Sequence, residues 1–475
     1  MESSSRQERV LRVTAVLAAI AGIYYISWRL VGSFNTHAMW FALPLWLAET
    51  YGLITSLLFF YATWNTRPRR WIAAPGGTTV DVYVPTYNEA VWLVRRTLLG
   101  AISIRYPHQT YLLDDGHRPE MRRLAKQLGV NYITRDDNAG AKAGNINHAL
   151  TRTRGDFIAI FDADHVPLPA FLEQTLGYFT DPKMAFVQTP QEFYNLDSFQ
   201  HHTDLRNKRM WHEQALFYRV LQPGKDHWGA SFFCGSCGII RRAALDEING
   251  MATETVTEDM HTSIRLHARG WTSAYHGEVL ALGLAPQTAT PFHSQRLRWG
   301  QGAMQILRHD NPLTVRGLTV HQRINYLASM LHWFDGFQRV AFYIAPSLYL
   351  ATGILPIRAT NADFVFHAMP YYVLAFLAYK FSSRGYGLFM FTERMYMIRF
   401  YTYIKTTFGL VASSRQKFAV TKKDRLGRAP MMAILPILLV GVMVVIGLAV
   451  GVARMVLGQE RNLLAFGINV VWSYW

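Results

Sequence analysis

Two apolar runs near the N-terminal end, residues 11–33 and 39–63, constrain this chain more than any other feature. Each is long enough to cross a hydrocarbon layer of about 30 Å at about 1.5 Å per residue, and a lone run in lipid can satisfy its backbone only as a helix. Arg6, Arg9 and Arg12 precede the first run, Arg67, Arg69 and Arg70 follow the second, and the turn Gly32 to His37 between them has no charged side chain. The bias of basic residues predicts that both flanks are cytoplasmic. A cleaved signal peptide over Arg9 to Ala21 is the competing reading, but it would export the polar middle of the chain.

Further spans are predicted at 326–356, 364–381 and 430–456. The loop from Ser413 to Ala429 carries six basic residues against Asp424 alone and should also be cytoplasmic. Between Gly385 and Val411 aromatics mix with Arg394, Arg399 and Lys405, as in an amphipathic helix lying in the interface; a poor sixth span is the alternative. Leu463 to Trp475 is too short to cross unaided, so the chain is expected to end in mid-span. The hydrophobic fraction of 50% is high for a water-soluble enzyme, and 17% charged residues is high for a bundle of spans alone. A polar domain inserted among membrane helices reconciles the two, as a multi-pass protein with parts at 1–70, 71–312, 313–429 and 430–475. The net charge of +16 follows this topology more than one basic patch with interleaved aromatics, which argues against nucleic acid as a partner and for membrane lipid.

Residues 77–312 read as an α/β domain. Val80 to Val84, Tyr111 to Leu113, Phe157 to Phe161 and Met184 to Gln188 are short apolar runs that end in polar or turn residues, with helical stretches such as Glu120 to Leu128 between them. Such alternation predicts a mainly parallel sheet, whose ligands gather at the carboxyl ends of the strands. Pro85-Thr86-Tyr87-Asn88-Glu89, Asp114-Asp115-Gly116 and Asp162-Ala163-Asp164 all fall at such ends.

Each acidic or basic motif has a chemical use and a plainer explanation. Asp162 and Asp164, two apart after an extended run, offer hard oxygens to Mg2+ or Mn2+ against a diphosphate; a solvated turn would look the same. Asp114 and Asp115 are candidates to grip a ribose or base or to support the metal, or else they form a turn with Gly116. Lys142, within Gly140-Ala141-Lys142-Ala143-Gly144-Asn145, joins one point charge to exposed backbone amides and suits a phosphate. Thr257-Glu258-Asp259 opens a helix, so its acids would suit a helix start; as chemistry, Asp259 is a candidate general base toward an acceptor hydroxyl. In Gln295-Arg296-Leu297-Arg298-Trp299, helical spacing puts Gln295, Arg298 and Trp299 on one face, where Arg298 can pair with a diphosphate and Trp299 can underlie a sugar ring. An interfacial Arg-Trp anchor is the alternative. Cys234 and Cys237 are the only cysteines; two thiols do not fill a zinc site, and a reducing cytosol disfavours a disulfide.

Taken in order, and with Phe232-Phe233-Cys234-Gly235-Ser236, Ala141-Lys142-Ala143-Gly144-Asn145 and Phe418-Ala419-Val420-Thr421-Lys422-Lys423, these motifs resemble the bacterial cellulose synthase catalytic subunits, processive glycosyltransferases of family 2. The resemblance runs from about residue 80 to 425. It implies a GT-A domain using UDP-glucose with Mg2+ or Mn2+ at Asp162 and Asp164, and Asp259 as the base. It further implies donor contacts from Thr86, Asn88, Glu89, Asp115, Lys142, Asp162 and Arg298. Acceptor contacts would come from Phe232, Cys234, Gly235, Gln295 and Trp299, and Phe418, Val420, Thr421 and Lys423 would form a loop closing over the donor. The implied product is a β-linked glucan threaded through the inner membrane, with candidate channel groups Trp333, Phe334 and Tyr343 and a periplasmic accessory subunit as an expected partner.

Two departures bear on this. Gly140 stands where many relatives carry His, and no segment after the last full span resembles the cyclic-di-GMP-binding domain found in many, so control by that nucleotide is not expected. The motifs leave open a β-(1→3) or mixed-linkage product and UDP-N-acetylglucosamine as donor. A degenerate transporter or scaffold would be the non-enzymatic case, against which every candidate carboxylate stands.

Overall fold

The computed structural model describes residues 2–204, 209–411, 431–460 and 462–474. The expected closing loop, with Phe418, Val420, Thr421 and Lys423, lies outside the described residues. The chain forms two compact units. One is made of Met1–Trp64, Leu331–Thr407 and Arg428–Trp475, and the other is built on Asn65–Met330 with the segment that starts at Phe408.

Among the described residues of the helical unit, four stretches are long and apolar enough to cross a membrane: Glu8–Val31, Thr36–Ala62, Asn361–Ser382 and Ile434–Val456. They leave large apolar side chains such as Ile20, Phe366 and Val445 exposed, the outward-facing shell that lipid would cover. Polar groups face inward. Arg29 donates from Nε to Glu49 at 2.9 Å, and Tyr25 donates to the other oxygen of the same carboxylate at 2.9 Å, so the first two helices are joined by a buried ion pair.

The run expected as one span at 326–356 is divided. A helix Val320–Leu331 ends in the 3-10 turn His332–Phe334, and a separate helix, Asp335–Thr352, follows. The first piece carries His321, Gln322, Arg323 and Asn325 and is bound to the α/β unit through them: Gln322 donates to the Gly229 carbonyl at 2.9 Å, and the buried Lys225 donates to the Asn325 carbonyl at 2.7 Å. The break itself falls at the 3-10 turn, where His332 lies 2.8 Å from Asp335 and Asp335 also accepts from Tyr51 at 2.7 Å, polar contacts that hydropathy does not register. The stretch expected at the interface folds as the helix Phe389–Thr407 and ion-pairs through Glu393 with Arg339.

The α/β unit is organised on a seven-stranded sheet in the order Thr272–Tyr275, Met184–Gln188, Gly238–Arg241, Phe157–Ile160, Val80–Thr86, Gln109–Asp114, Asn131–Ile133. All neighbours are parallel except at Gly238–Arg241, which runs antiparallel to both of its partners. Strands covered on both faces need apolar residues at nearly every position. Val80–Thr86 is buried throughout, Val82 and Val84 entering one core layer and Tyr83 the other, as a period of two requires. Register fixes the functional edge: Thr86 pairs with Asp114, and Tyr83 with Ile160, two residues before Asp162. The three predicted strand-end motifs therefore emerge together. A small sheet of His165–Pro167, Ala281–Gly283 and Glu192–Phe193 and a hairpin His201–Asp204 with Arg209–His212 complete the unit.

Candidate active site

The chain leaves the strand Phe157–Ile160 and reaches Asp162, whose amide donates to the Ser236 hydroxyl at 2.9 Å. Lys142, in the first turn of the helix Ala141–Arg152, is ion-paired with the Asp162 carboxylate and also donates to the Gly235 carbonyl at 2.6 Å. Burial alone would discharge this lysine, but Asp162, Glu258 and Asp259 outweigh it and hold its pKa above the ordinary lysine value. Gly235 has φ +82°, and a Cβ built there would lie 3.1 Å from Asp259 Oδ2 and 3.5 Å from Lys142 Nζ. A residue with no side chain is thus what allows the cation, the acidic pair and the Thr-Glu-Asp carboxyl to share one place.

Asp259 is the second residue of the helix Glu258–Ala268. One oxygen accepts from the Met260 amide at 2.8 Å. Burial, reinforced by Glu258, pushes its pKa up to about 7, while the Met260 amide and Lys142 pull the other way. A carboxyl so tuned is suited to take a proton near neutrality. Its loop is fastened to the helix Ala289–His309, which carries Gln295, Arg298 and Trp299: the Val256 amide donates to Gln305 at 2.9 Å, and a Cβ on Gly302 would meet Thr257 Oγ1 at 2.3 Å. His261 and Arg265 both reach Asp310, just past that helix, at 2.7 and 2.9 Å.

Asp162, Asp164 and His165 bring one ligand atom each within 4.8 Å of one another. Both ring nitrogens of His165 are buried without a hydrogen-bond partner, and burial lowers its pKa to about 4, which leaves the ring neutral. Two carboxylates beside an unsatisfied neutral imidazole fit a small divalent cation. His165 was not among the expected ligands, although its place directly after Asp164 was a usable signal.

The Asp-Asp-Gly motif does different work in its two halves. Asp114 is fully buried and accepts from the amides of Gly116 and Arg118, from the Arg118 guanidinium and from the Tyr132 hydroxyl at 3.0 Å. Arg118 in turn donates to Thr86 Oγ1 at 2.8 Å and to the Glu89 carbonyl, and Thr86 donates to the Glu89 carboxylate at 2.7 Å. Asn88 is exposed beside them. Asp115 makes a buried two-bond pair with Arg135 at 2.8 and 2.7 Å, and Arg135 also donates to the carbonyls of Ala139 and Ala141. Asp115 thereby shapes the loop that presents Lys142. Neither Arg118 nor Arg135 stood out in the sequence, because each lies outside a motif and is recognisable only by its partner.

Phe232 is buried, with its backbone bonded on both sides to Gln222. Cys234 is half-buried; its amide donates to Gln188 at 2.7 Å, and burial followed by Asp259 pushes its thiol well above the usual range. Cys237 is buried and, like Cys234, a free thiol. Gln295 accepts from Arg296 at 3.0 Å, and Arg298 and Trp299 are half-buried on the same helix.

Residues 75–302 match the family described as glycosyltransferase like family 2, and residues 234–399 the one described as cellulose synthase. The cellulose synthase catalytic subunit [UDP-forming] of Pseudomonas fluorescens (strain SBW25) is 38% identical over 96% of this chain, which spans 64% of that protein. Cellulose synthase 1 of Komagataeibacter xylinus is 38% identical over 96% of this chain and 31% of its own length, and the catalytic subunit of Xanthomonas axonopodis pv. citri (strain 306) is 44% identical over 66% and 45%. The chain thus spans about two thirds or less of these relatives. Among solved structures, a mannosyltransferase from Pyrobaculum calidifontis in complex with GDP-Man and Mn2+ shares the fold, with a TM-score of 0.56, 19% identity, and coverage of 78% of this chain and 99% of its own. The α/β unit has the GT-A glycosyltransferase fold, and the chain is similar over nearly its whole length to the bacterial cellulose synthase catalytic subunits.

Proposed function

We propose that this protein polymerises glucose from UDP-glucose into a β-linked glucan, the (1→4)-linked chain of cellulose, and passes the product across the inner membrane from a cytoplasmic catalytic unit. The observation that carries the reading is the convergence of Lys142, Asp162 and Asp259 around the side-chain-free Gly235, supported by relatives named as UDP-forming cellulose synthases.

In this reading Asp259 takes the proton of the acceptor hydroxyl. The freed oxygen attacks the anomeric carbon, the bond from that carbon to the diphosphate breaks, and UDP leaves with the electron pair. Attack opposite the leaving group turns an α-linked donor into a β-linkage. Lys142 and Arg298 hold diphosphate oxygens, and Thr86, Asn88, Glu89 and Asp115 border the nucleotide end. Asp162, Asp164 and His165 are the groups that would hold Mg2+ or Mn2+, which when bound offsets charge on the departing diphosphate. Trp299 supports the acceptor sugar, with Phe232, Cys234, Gly235 and Gln295 around it. A periplasmic subunit receives the chain.

Purified protein in lipid, supplied with labelled UDP-glucose or UDP-N-acetylglucosamine and Mg2+ or Mn2+, tests this. The expected product forms from UDP-glucose, is digested by a (1→4)-specific endoglucanase and is lost with EDTA. Digestion only by a (1→3)-specific enzyme would replace the linkage, and Asp259→Asn turning over at the wild-type rate would remove the proposed base.

A further inference from the structure

Arg296 lies between Gln295 and Arg298, motif positions to which the resemblance gives a role, and nothing in the reaction above uses it. Yet it is one of the largest fully buried side chains of the molecule, only 2% exposed. A guanidinium in such a place needs a partner, because an unpaired buried charge is strongly disfavoured. Its partner is Glu213, just past the hairpin strand Arg209–His212; that carboxylate is ion-paired with Arg296, and the Glu213 amide donates to the Gln200 carbonyl at 3.0 Å. Arg296 also donates to the Gln295 side chain at 3.0 Å. Its flat face is engaged as well. The guanidinium carbon lies 4.7 Å from the centre of the Phe292 ring and 4.4 Å from that of Trp299, the residues one turn before and after it on the same helix.

We infer that Arg296, anchored by Glu213, is a positioning residue that fixes the Trp299 indole as the floor for the acceptor sugar, an inference that rests on the acceptor role proposed for Trp299. A cation held within about 6 Å of an indole face favours one ring orientation. Sugar stacking needs a ring that does not swing, since a displacement of about 1 Å at the reacting atoms can slow a transfer by about a hundredfold. Lone stacking on an exposed rotamer would not supply that constraint. The segment carrying Glu213 thus becomes part of the acceptor site without touching the acceptor.

The test uses the full chain in lipid, labelled with 5-fluorotryptophan so that the resonance lost in Trp299→Phe reports on Trp299. Arg296→Met is expected to shift or broaden that resonance and to slow elongation roughly tenfold to a hundredfold while UDP affinity, measured by product inhibition, hardly changes. Trp299→Phe added to Arg296→Met should cost much less than it does alone, because the two residues act as one unit. Arg296→Lys, which can still stack, should retain more activity than Arg296→Met. If Arg296→Met does not accumulate, Glu213→Gln keeps the guanidinium, removes its anchor and decides by the same readouts. An unmoved resonance, or independent multiplicative losses in the double variant, would overturn the inference. Wild-type protein that elongates nothing from any UDP-sugar would instead remove the acceptor reading itself, so the two failures are distinguishable.

Discussion

A carboxyl group buried beside another carboxylate stays protonated unless something opposes it, and Asp259 is opposed chiefly by the Met260 amide and Lys142. With a pKa of about 7 it is half-ionised near neutrality. The rate of elongation at limiting UDP-glucose is therefore expected to climb as pH rises through about 7 and to level off above it, and a profile flat from pH 5 to 9 would contradict its role as base. Stability runs the other way. The folded value lies above the unfolded one of about 3.9, so the stability present below the unfolded value is lost as pH rises through about 7. Asp259→Asn removes that loss, and its melting temperature should exceed the wild type's at pH 8 while matching it at pH 4. At this scale the sequence displayed the groups that do chemistry and concealed those that hold them. Asp259, Lys142 and the Asp162–Asp164 pair are short motifs with fixed spacing. Arg118 acts through Thr86 and the Glu89 carbonyl as well as the nearby Asp114, Arg135 through Asp115 and Arg296 through Glu213, the last pair 83 residues apart, and motif spacing does not encode such long-range pairs.

Helices and strands set the distances among these groups, and one close approach is between the Thr257 loop and the helix Ala289–His309. Gly302 makes it possible: an added methyl would sit 2.3 Å from Thr257 Oγ1. Gly302→Ala should cost about 1–3 kcal/mol, as overpacking commonly does. It should also lower turnover more than it lowers UDP affinity, because Asp259 moves with its loop. Gly277→Ala, where an added Cβ meets nothing within 4 Å, should change neither, and melting curves with steady-state rates on both variants check the pair. A second contact of this kind joins the first two long helices. Glu49→Ala leaves Arg29 buried without its carboxylate and should reduce the folded yield in detergent sharply, whereas Arg29→Met with Glu49→Met should recover much of it, since an apolar pair of similar size replaces a buried ion pair at little cost. Strand positions were readable because burial on both faces forces an apolar run that ends where the chain turns polar. The division of residues 326–356 was not, because apolar content there masked the polar contacts of His332 and Asp335 at the break.

At the scale of the whole chain, topology follows from where cations are placed along it. Arg9 and Arg12 in the first turns of the first long helix and Arg67, Arg69 and Arg70 after the second favour the same side of the membrane for both flanks, so the turn at Thr36 should face the opposite side from the α/β unit. Thiol labelling can read this directly, because the native cysteines are poor competitors. Cys237 is buried, with burial pushing its thiol up to about 12, and the Cys234 thiol is pushed well above its usual range by burial and by Asp259. An impermeant maleimide should therefore find little but an introduced thiol. In right-side-out membrane vesicles, Thr36→Cys should be labelled at once, while Lys126→Cys, on an exposed face of the helix Pro119–Leu128, should react only after the vesicles are opened. Labelling of Lys126→Cys in sealed vesicles would place the catalytic unit outside, away from any cytosolic UDP-sugar, and with it the proposal that one chain both makes a glucan and passes it outward would fail.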